Sequence, residues 1–500
     1  MPVSFNTIPN NIRVPLFYAE MDNSMANTAV TPMRRLLIGQ VNDNSTAPEI
    51  NQLTLINNES LAKSIGGTGS QFAQMYNQWL KCDPMGEIWA LPLQNTTGSA
   101  ASGHINFVGT AAKAGLINLY IAGTRIRTTV TVGDTGQVIA ANVGAAILAN
   151  VDLPVTATIS EDTVTITCKW TGESGNDISL ILNQQGRNSG EATPDGIIVN
   201  ITPMAGGTGT PDLTQAFASL GDEAFEFICF PFTDSASLDA FKELMNDSSG
   251  RWSYMQQLYG HGYAAKRGSI GELVGLTSAR NDQHITISCF EKEVPQPYWI
   301  VAAAVTARSA AFLSNDPARP TQTGELIGVQ PAPASNRFLM SERQSLLMNG
   351  AATIVYSGSA MRIERSVTTY QKNAYGQADN SYLDSETLHT SSYVLNFLKT
   401  RITSKFGRHK LANDGTRFGA GQAIVTPNII RAELIAAYQD LEYLGIVENS
   451  ELFEKYLIVE RDSADPTRIN VLFPPDYVNQ LRVFALVNQF RLQYSQTSSN

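Results

Sequence analysis

The sequence predicts a multidomain chain of mixed α+β and α/β class: a discontinuous α/β core, an inserted mainly-β domain, and an α+β C-terminal domain, with extended strand arms at the two ends. Three observations predict it. The 500 residues, 43% apolar and 8% aromatic, exceed one ordinary domain and supply material for several cores. A strand–helix–strand rhythm begins near residue 31, breaks between about 100 and 207, and then resumes. Within the break, short β-branched runs alternate with glycine and Asx turns. The expected divisions are therefore an arm over 1–25, a core from 26–99 together with 208–367, an insert over 100–207, and a C-terminal domain over 368–500.

Each element has a local cause. Prolines at 2, 9 and 15 remove backbone donors from the first stretch, which reads as extended. Arg34 to Gly39 reads as a buried strand, and Gly66 to Ser70 opens a helix carrying Phe72, Met75, Tyr76 and Leu80. Glu87 to Leu91 is the next strand. In the insert, Thr156, Thr158, Thr163, Thr165 and Thr167 mark the solvent face of a half-buried sheet. One helix interrupts that sheet, with Asp134 as its expected cap and Ile139, Val143, Ala146 and Ile147 as its apolar stripe. Beyond the Gly-rich joint at 205–209 come a helix near 211–220, a strand at 225–230, a helix bearing Leu238, Phe241 and Met245, and an apolar helix over 298–313. In the last portion, Ser385 is the expected cap of a long helix, and Thr426-Pro427 opens another. Arg482 to Leu492 reads as a strand with Phe484, Leu486, Phe490 and Leu492 alternating on one face, a segment that must pair with something.

Composition excludes several functions. A net charge of −10 argues against direct nucleic-acid binding, which rests on clustered Lys and Arg. The N-terminus lacks the basic flank and apolar run of a signal peptide, and the run over 298–313 is shorter than a membrane span, so no membrane insertion is expected. The four cysteines are scattered with no paired spacing and fit a reducing compartment. Charged residues are only 16% of the chain against a typical ~25%, with Asn, Gln, Ser and Thr making up the polarity, which suits a surface that faces other protein.

The search for chemistry is largely negative. Five histidines show no ligand spacing, and the Gly66–Ser70 turn lacks the Gly-Lys-Ser/Thr ending of a phosphate loop. His261, in Gly260-His261-Gly262, reads as a loop histidine without a legible nucleophile or orienting acid; Arg308, inside the apolar helix, is expected to meet a buried acid or an interface. No catalytic residue, cofactor or metal is expected.

Against this background the ordered runs Arg362-Ile363-Glu364-Arg365-Ser366-Val367-Thr368-Thr369-Tyr370, Lys405-Phe406-Gly407-Arg408-His409-Lys410-Leu411-Ala412 and Pro474-Pro475-Asp476-Tyr477-Val478-Asn479-Gln480-Leu481-Arg482-Val483-Phe484 resemble the contractile tail sheath proteins of phage Mu and its relatives. Asn281-Asp282-Gln283-His284, Asp316-Pro317-Ala318-Arg319-Pro320 and the opening Ser4-Phe5-Asn6-Thr7-Ile8-Pro9 fit the same family. The resemblance is strongest beyond residue 270 and weakest across the insert.

The resemblance implies a structural and mechanical subunit of a virion tail, assembled in the host cytoplasm. Such subunits polymerise as six-subunit rings around a tail tube, meet baseplate and tail terminator proteins, and contract to drive the tube through the host envelope. It further implies inter-subunit strand exchange through Val3, Phe5, Ile8, Val14, Leu16 and Phe17 of the N-terminal arm and Phe484, Leu486, Phe490 and Leu492 of the C-terminal strand. Two alternatives stand beside it: the sheath of a headless, R-type bacteriocin-like injection particle, and a soluble α/β enzyme with a β binding module.

Overall fold

The computed structural model describes residues 33–94, 97–419 and 421–492. Val3, Phe5, Ile8, Val14, Leu16 and Phe17 lie outside the described residues. The chain begins with β1 (Arg35–Gln40), β2 (Thr54–Ile56), α1 (Glu59–Gly66), α2 (Gln71–Cys82) and β3 (Ile88–Leu93). Next come β4 (Ala100–Gly109), β5 (Gly115–Ile121), β6 (Thr124–Val130), α3 (Gly136–Ala149), β7 (Val155–Ser160), β8 (Thr163–Thr171), β9 (Leu180–Leu182) and β10 (Ile197–Ala205). Then α4 (Leu213–Ala218), β11 (Phe227–Cys229), α5 (Ser235–Met245), β12 (His261–Gly268), α6 (Ile270–Ser278), β13 (Ile285–Glu291), α7 (Tyr298–Leu313), α8 (Met340–Met348), β14 (Ala352–Ser357) and β15 (Ala360–Arg365) follow. The last elements are α9 (Ser385–Phe406), β16 (Lys410–Leu411), β17 (Ile424–Val425), α10 (Pro427–Tyr443), α11 (Ser450–Tyr456), β18 (Ile458–Arg461) and β19 (Ile469–Leu472).

The architecture is mixed α/β with several sheets. The largest runs β15-β14-β13-β12-β11-β1-β3-β2, so strands from both sides of the 100–207 break share one sheet. Its six inner strands are parallel, and β2 and β15 close the edges antiparallel. Every residue of β1 and β13 is buried, as parallel strands covered on both faces require. On one face α7 packs against α2, β11 and β12. It runs from Tyr298 to Leu313 as expected, buried on almost all sides, and its alanines leave room for the neighbouring backbone. Ser70 caps α2 by accepting from Ala73 N at 3.1 Å.

Between β3 and α4 lie a four-stranded sheet, β10-β4-β8-β7, and a three-stranded one, β6-β5-β9. Helix α3 contacts both, burying Ile139, Val143 and Ile147. Asp134 does not cap it: Thr135 holds that position, and Asp134 instead accepts from Thr131 N and Oγ1 in the preceding turn. The two chain crossings into this region are zipped together, Ser99 N donating to Thr208 O at 3.2 Å and Thr208 N to Ser99 O at 3.1 Å.

Helix α9 belongs to two cores at once. Its first turns are buried against the large sheet, while Val394, Phe397, Leu398, Ile402 and Phe406 join a second cluster with Ile430, Leu434, Tyr438, Leu441 and Phe453. Its cap position is Asp384 rather than Ser385, which is already helical. Pro427 starts α10 as expected, and Gly445, at φ 72°, ends it in the left-handed region. Arg482 to Leu492 is not a strand: it has no regular secondary structure and no ladder partner among the described residues.

Candidate assembly surface

The usual ligand position in a parallel sheet is the crevice at the carboxyl ends of the strands, where the order reverses. Here that point lies between β1 and β11, and residues of the insert fill it. A cavity of about 270 Å³ remains, lined among others by Gln40, Ser174, Asp177, Asp234, Lys266 and Tyr298. Its polar groups are engaged with one another. Ser174 Oγ donates to Gln40, Asp177 pairs with Arg267 at 2.7 Å and accepts from Tyr298 N at 2.8 Å, and Asp234 caps α5. Burial outweighs Arg267 and holds the Asp177 carboxyl above the usual carboxylate range, so this ion pair positions the insert more than it stabilises it. Trp170 on β8 meets Trp299 on α7 edge-on at 5.7 Å, and Lys169 Nζ donates to Thr68 O in the Gly66–Ser70 turn.

His261 is not in a loop. It opens β12, buried, with Nε2 2.9 Å from Thr286 Oγ1. A second buried histidine, His389 on α9, stacks on Phe227 and sits with Nε2 2.8 Å from the Tyr263 hydroxyl. Burial keeps both rings neutral, pushing His389 down to about 3 and His261 well below its ordinary value. Arg308 has no buried acid as an ion-pair partner among the described residues; its Nε donates to Glu325 O at 2.9 Å. All four cysteines are buried, and burial pushes Cys168, Cys229 and Cys289 up to about 12 and raises Cys82. Among the described residues no group of three or more His, Cys, Asp and Glu could hold a metal, and no helix is long and apolar enough to cross a membrane.

The longest run of exposed apolar side chains among the described residues is at the C-terminal end. After β19 the chain is laid back over its own domain. Asp476 N donates to the Tyr438 hydroxyl, Tyr477 bridges Val447, and Val478 N donates to Ile446 O at 3.2 Å. Gln480 then donates to Ala318 O at 3.1 Å, and Gln322 Nε2 donates to Leu481 O at 3.3 Å. Beyond Arg482 the apolar side chains are exposed. Phe484, Leu486, Phe490 and Leu492 are 75 to 98% exposed, and so are Val483 and Val487. Alternation alone predicts one apolar face, but the odd register, Leu481, Val483, Ala485 and Val487, is apolar too, so both faces of the first half carry exposed apolar side chains. In the same domain β18 and β19 form a two-stranded sheet with no further strand on either edge among the described residues, and Ile458, Val471 and Leu472 are exposed.

The phage tail sheath protein central-domain family matches residues 206–369, and the phage tail sheath C-terminal-domain family matches 377–491. The chain is 41% identical over 495 residues to the Mu-like prophage FluMu tail sheath protein of Haemophilus influenzae, covering 98% of this chain and 100% of that protein. The chain belongs to the Mu-like phage tail sheath family. As a tail sheath protein it is a structural component of a phage tail, the reading favoured over both alternatives. Solved structures with similar coordinates include the sheath tail protein of Desulfitobacterium hafniense, at 12% identity and TM-score 0.48 over 93% of this chain and 100% of that one. The sheath tail protein of Listeria innocua gives 13% and 0.47 over 91% and 94%, and the contracted helical sheath of the anti-feeding prophage gives 10% and 0.42 over 96% and 100%.

Proposed function

We propose that this tail sheath protein polymerises as six-subunit rings around a tail tube and contracts to drive the tube through the host envelope, linked to its neighbours by exchanged terminal strands. The observation that carries the reading is the run of exposed apolar side chains Val483, Phe484, Leu486, Val487 and Phe490, on both registers of a segment that joins no sheet among the described residues. A soluble monomer that kept such a segment exposed would aggregate, whereas a neighbouring copy that supplies a sheet edge satisfies it by β-augmentation. The open edges of the β18–β19 hairpin, too small to be a stable sheet alone, supply such an edge. The N-terminal residues Val3, Phe5, Ile8, Val14, Leu16 and Phe17 are assigned the same role from the family resemblance and their apolar, proline-punctuated pattern.

On this reading the chain divides into an arm (1–25), a core (26–99 with 208–367), an outward-facing insert (100–207) and an assembly domain (368–500). The insert is joined at the carboxyl ends of the parallel strands, whereas β15 delivers the chain to the C-terminal domain at their amino ends, so the two leave the sheet in opposite directions. Its further partners are a tube protein, a baseplate and a tail terminator, in a virion tail assembled in the host cytoplasm. Contraction needs no bound nucleotide, because a bistable subunit interface stores the work at assembly. The test is electron microscopy and pelleting of the full chain against a chain ending at Arg482. The full chain forms hollow striated tubes, and the shortened chain stays monomeric and folded. Tubes from the shortened chain would sink the exchange of the C-terminal strand.

A further inference from the structure

In an ordinary surface segment charged side chains face water and apolar ones turn inward. At the root of the C-terminal strand the order is inverted. Leu481 and Val483 are 70% and 77% exposed, while the Arg482 side chain between them is only 11% exposed. Its guanidinium reaches into a buried ion network at the start of α9. Nη2 lies 3.3 Å from Asp384 Oδ1 and 3.2 Å from Glu386 Oε1, and donates to Gln480 Oε1 at 2.6 Å. Glu386 is fully buried and also accepts from Thr321 N and Oγ1 at 2.9 and 2.8 Å. Asp384 is held from the other side by Arg365, the last residue of β15, through two bonds of 2.8 and 2.9 Å.

The network has two cations and two anions, and both anions sit in the first turn of α9, where the helix dipole favours them. It joins four segments at one point: the last strand of the large sheet, the loop after α7, the helix shared by the two cores, and the exit of the bare strand. Arg482 is the only charged residue between Asp476 and Arg491. Nη2 meets both carboxylates and Gln480 while Nη1 donates to Gln322 Oε1 at 3.4 Å, a two-armed planar contact that the single nitrogen of a lysine does not reproduce.

We propose that Arg482 is a positioning residue for assembly: it fixes where and in which direction the C-terminal strand leaves the subunit, and ties that direction to the seating of α9 on the core. The proposal rests on the strand-exchange reading. A strand anchored at its root is presented to a neighbour already oriented, which removes part of the ordering cost of pairing.

The experiment compares the full chain with three variants: Arg482→Gln combined with Glu386→Gln, so that no buried charge is left alone; Arg482→Lys; and a chain ending at Arg482. Two quantities are read, the concentration above which polymer pellets and the amide exchange rate at 478–482 in unpolymerised protein. For the double variant, both should rise by at least about tenfold, as loss of charge-assisted hydrogen bonds implies, while exchange in β12 stays unchanged. Arg482→Lys, which keeps a cation but not the fork, should raise both by about threefold. The chain ending at Arg482 should not polymerise, with 478–482 as protected as in the full chain. A double variant that loosens 478–482 yet polymerises at the original concentration overturns the proposal, as does unchanged exchange at 478–482. If the double variant does not fold, Arg482→Lys decides by the same two readouts, and no change in either overturns it. Normal polymerisation of the shortened chain instead defeats the strand-exchange reading, a separate failure.

Discussion

Two excursions from the large sheet end very differently. The insert between β3 and α4 closes its own two sheets around α3, zips its entry and exit strands at Ser99 and Thr208, and seats Ser174 and Asp177 over the carboxyl ends of the parallel strands. The C-terminal segment is pinned only as far as Arg482, and then exposes apolar side chains on both faces. The insert pairs its strands and builds a core around α3 within the chain, whereas Val483, Phe484, Leu486, Val487, Phe490 and Leu492 join no sheet among the described residues. On the proposed strand-exchange reading, the contrast separates the part of the subunit that folds as one body from the part that links it to a neighbour.

The sharpest way to break this contrast is to charge the bare segment. Phe484→Asp with Leu486→Asp removes two side chains whose burial contributes about 1.5–3 kcal/mol each, so the pelleting threshold should rise at least about 100-fold. Thermal unfolding of the monomer should not move; a fall in its midpoint would mean that these residues pack within their own chain. The converse variant is Asp177→Ala, which leaves Arg267 without its carboxylate and should destabilise the subunit by about 3–5 kcal/mol in chemical denaturation. Its polymer threshold, measured where the variant is still folded, should match the parent. A large shift there would make the insert part of the assembly contact.

A smaller effect sharpens how α9 is seated. His389 and His261 are buried neutral, with folded values below the ordinary one near 6.5. The unfolded chain therefore binds more protons, and stability is full above about pH 6.5 and falls as pH drops; His389 contributes about 1.4 kcal/mol per pH unit down to about pH 3, and His261 acts in the same direction. Denaturant titrations at several pH values check the slope. His389→Phe, which keeps a ring against Phe227, should flatten it by one histidine's share, and an unchanged slope would assign the acid sensitivity elsewhere.

Much of the fold was legible because its cues are local. The alanine-rich apolar run over 298–313 has the length of a helix, Thr426-Pro427 is a helix start, and the alternating threonines of β7 and β8 mark a half-buried sheet. What escaped depends on distant partners. Gly260-His261-Gly262 reads as a loop because glycine permits turns, but Gly262 is there for space: a Cβ would lie 2.4 Å from the Phe241 ring on α5. Arg482 looks like an ordinary surface charge until Asp384 and Glu386, far upstream, are brought beneath it. Alternation can announce a strand at 482–492, but it cannot say that the ladder is missing from the same chain. For the same reason the candidate surface was only half visible, its apolar residues readable and its anchor not.

The four buried cysteines have a consequence for durability. Oxidation requires an accessible thiolate, and burial both hides these sulfurs and keeps them protonated. On the proposed assembly, disulfide crosslinks between neighbouring copies would act as brakes on any relative movement, and the buried, protonated state of these four thiols keeps such crosslinks from forming in air.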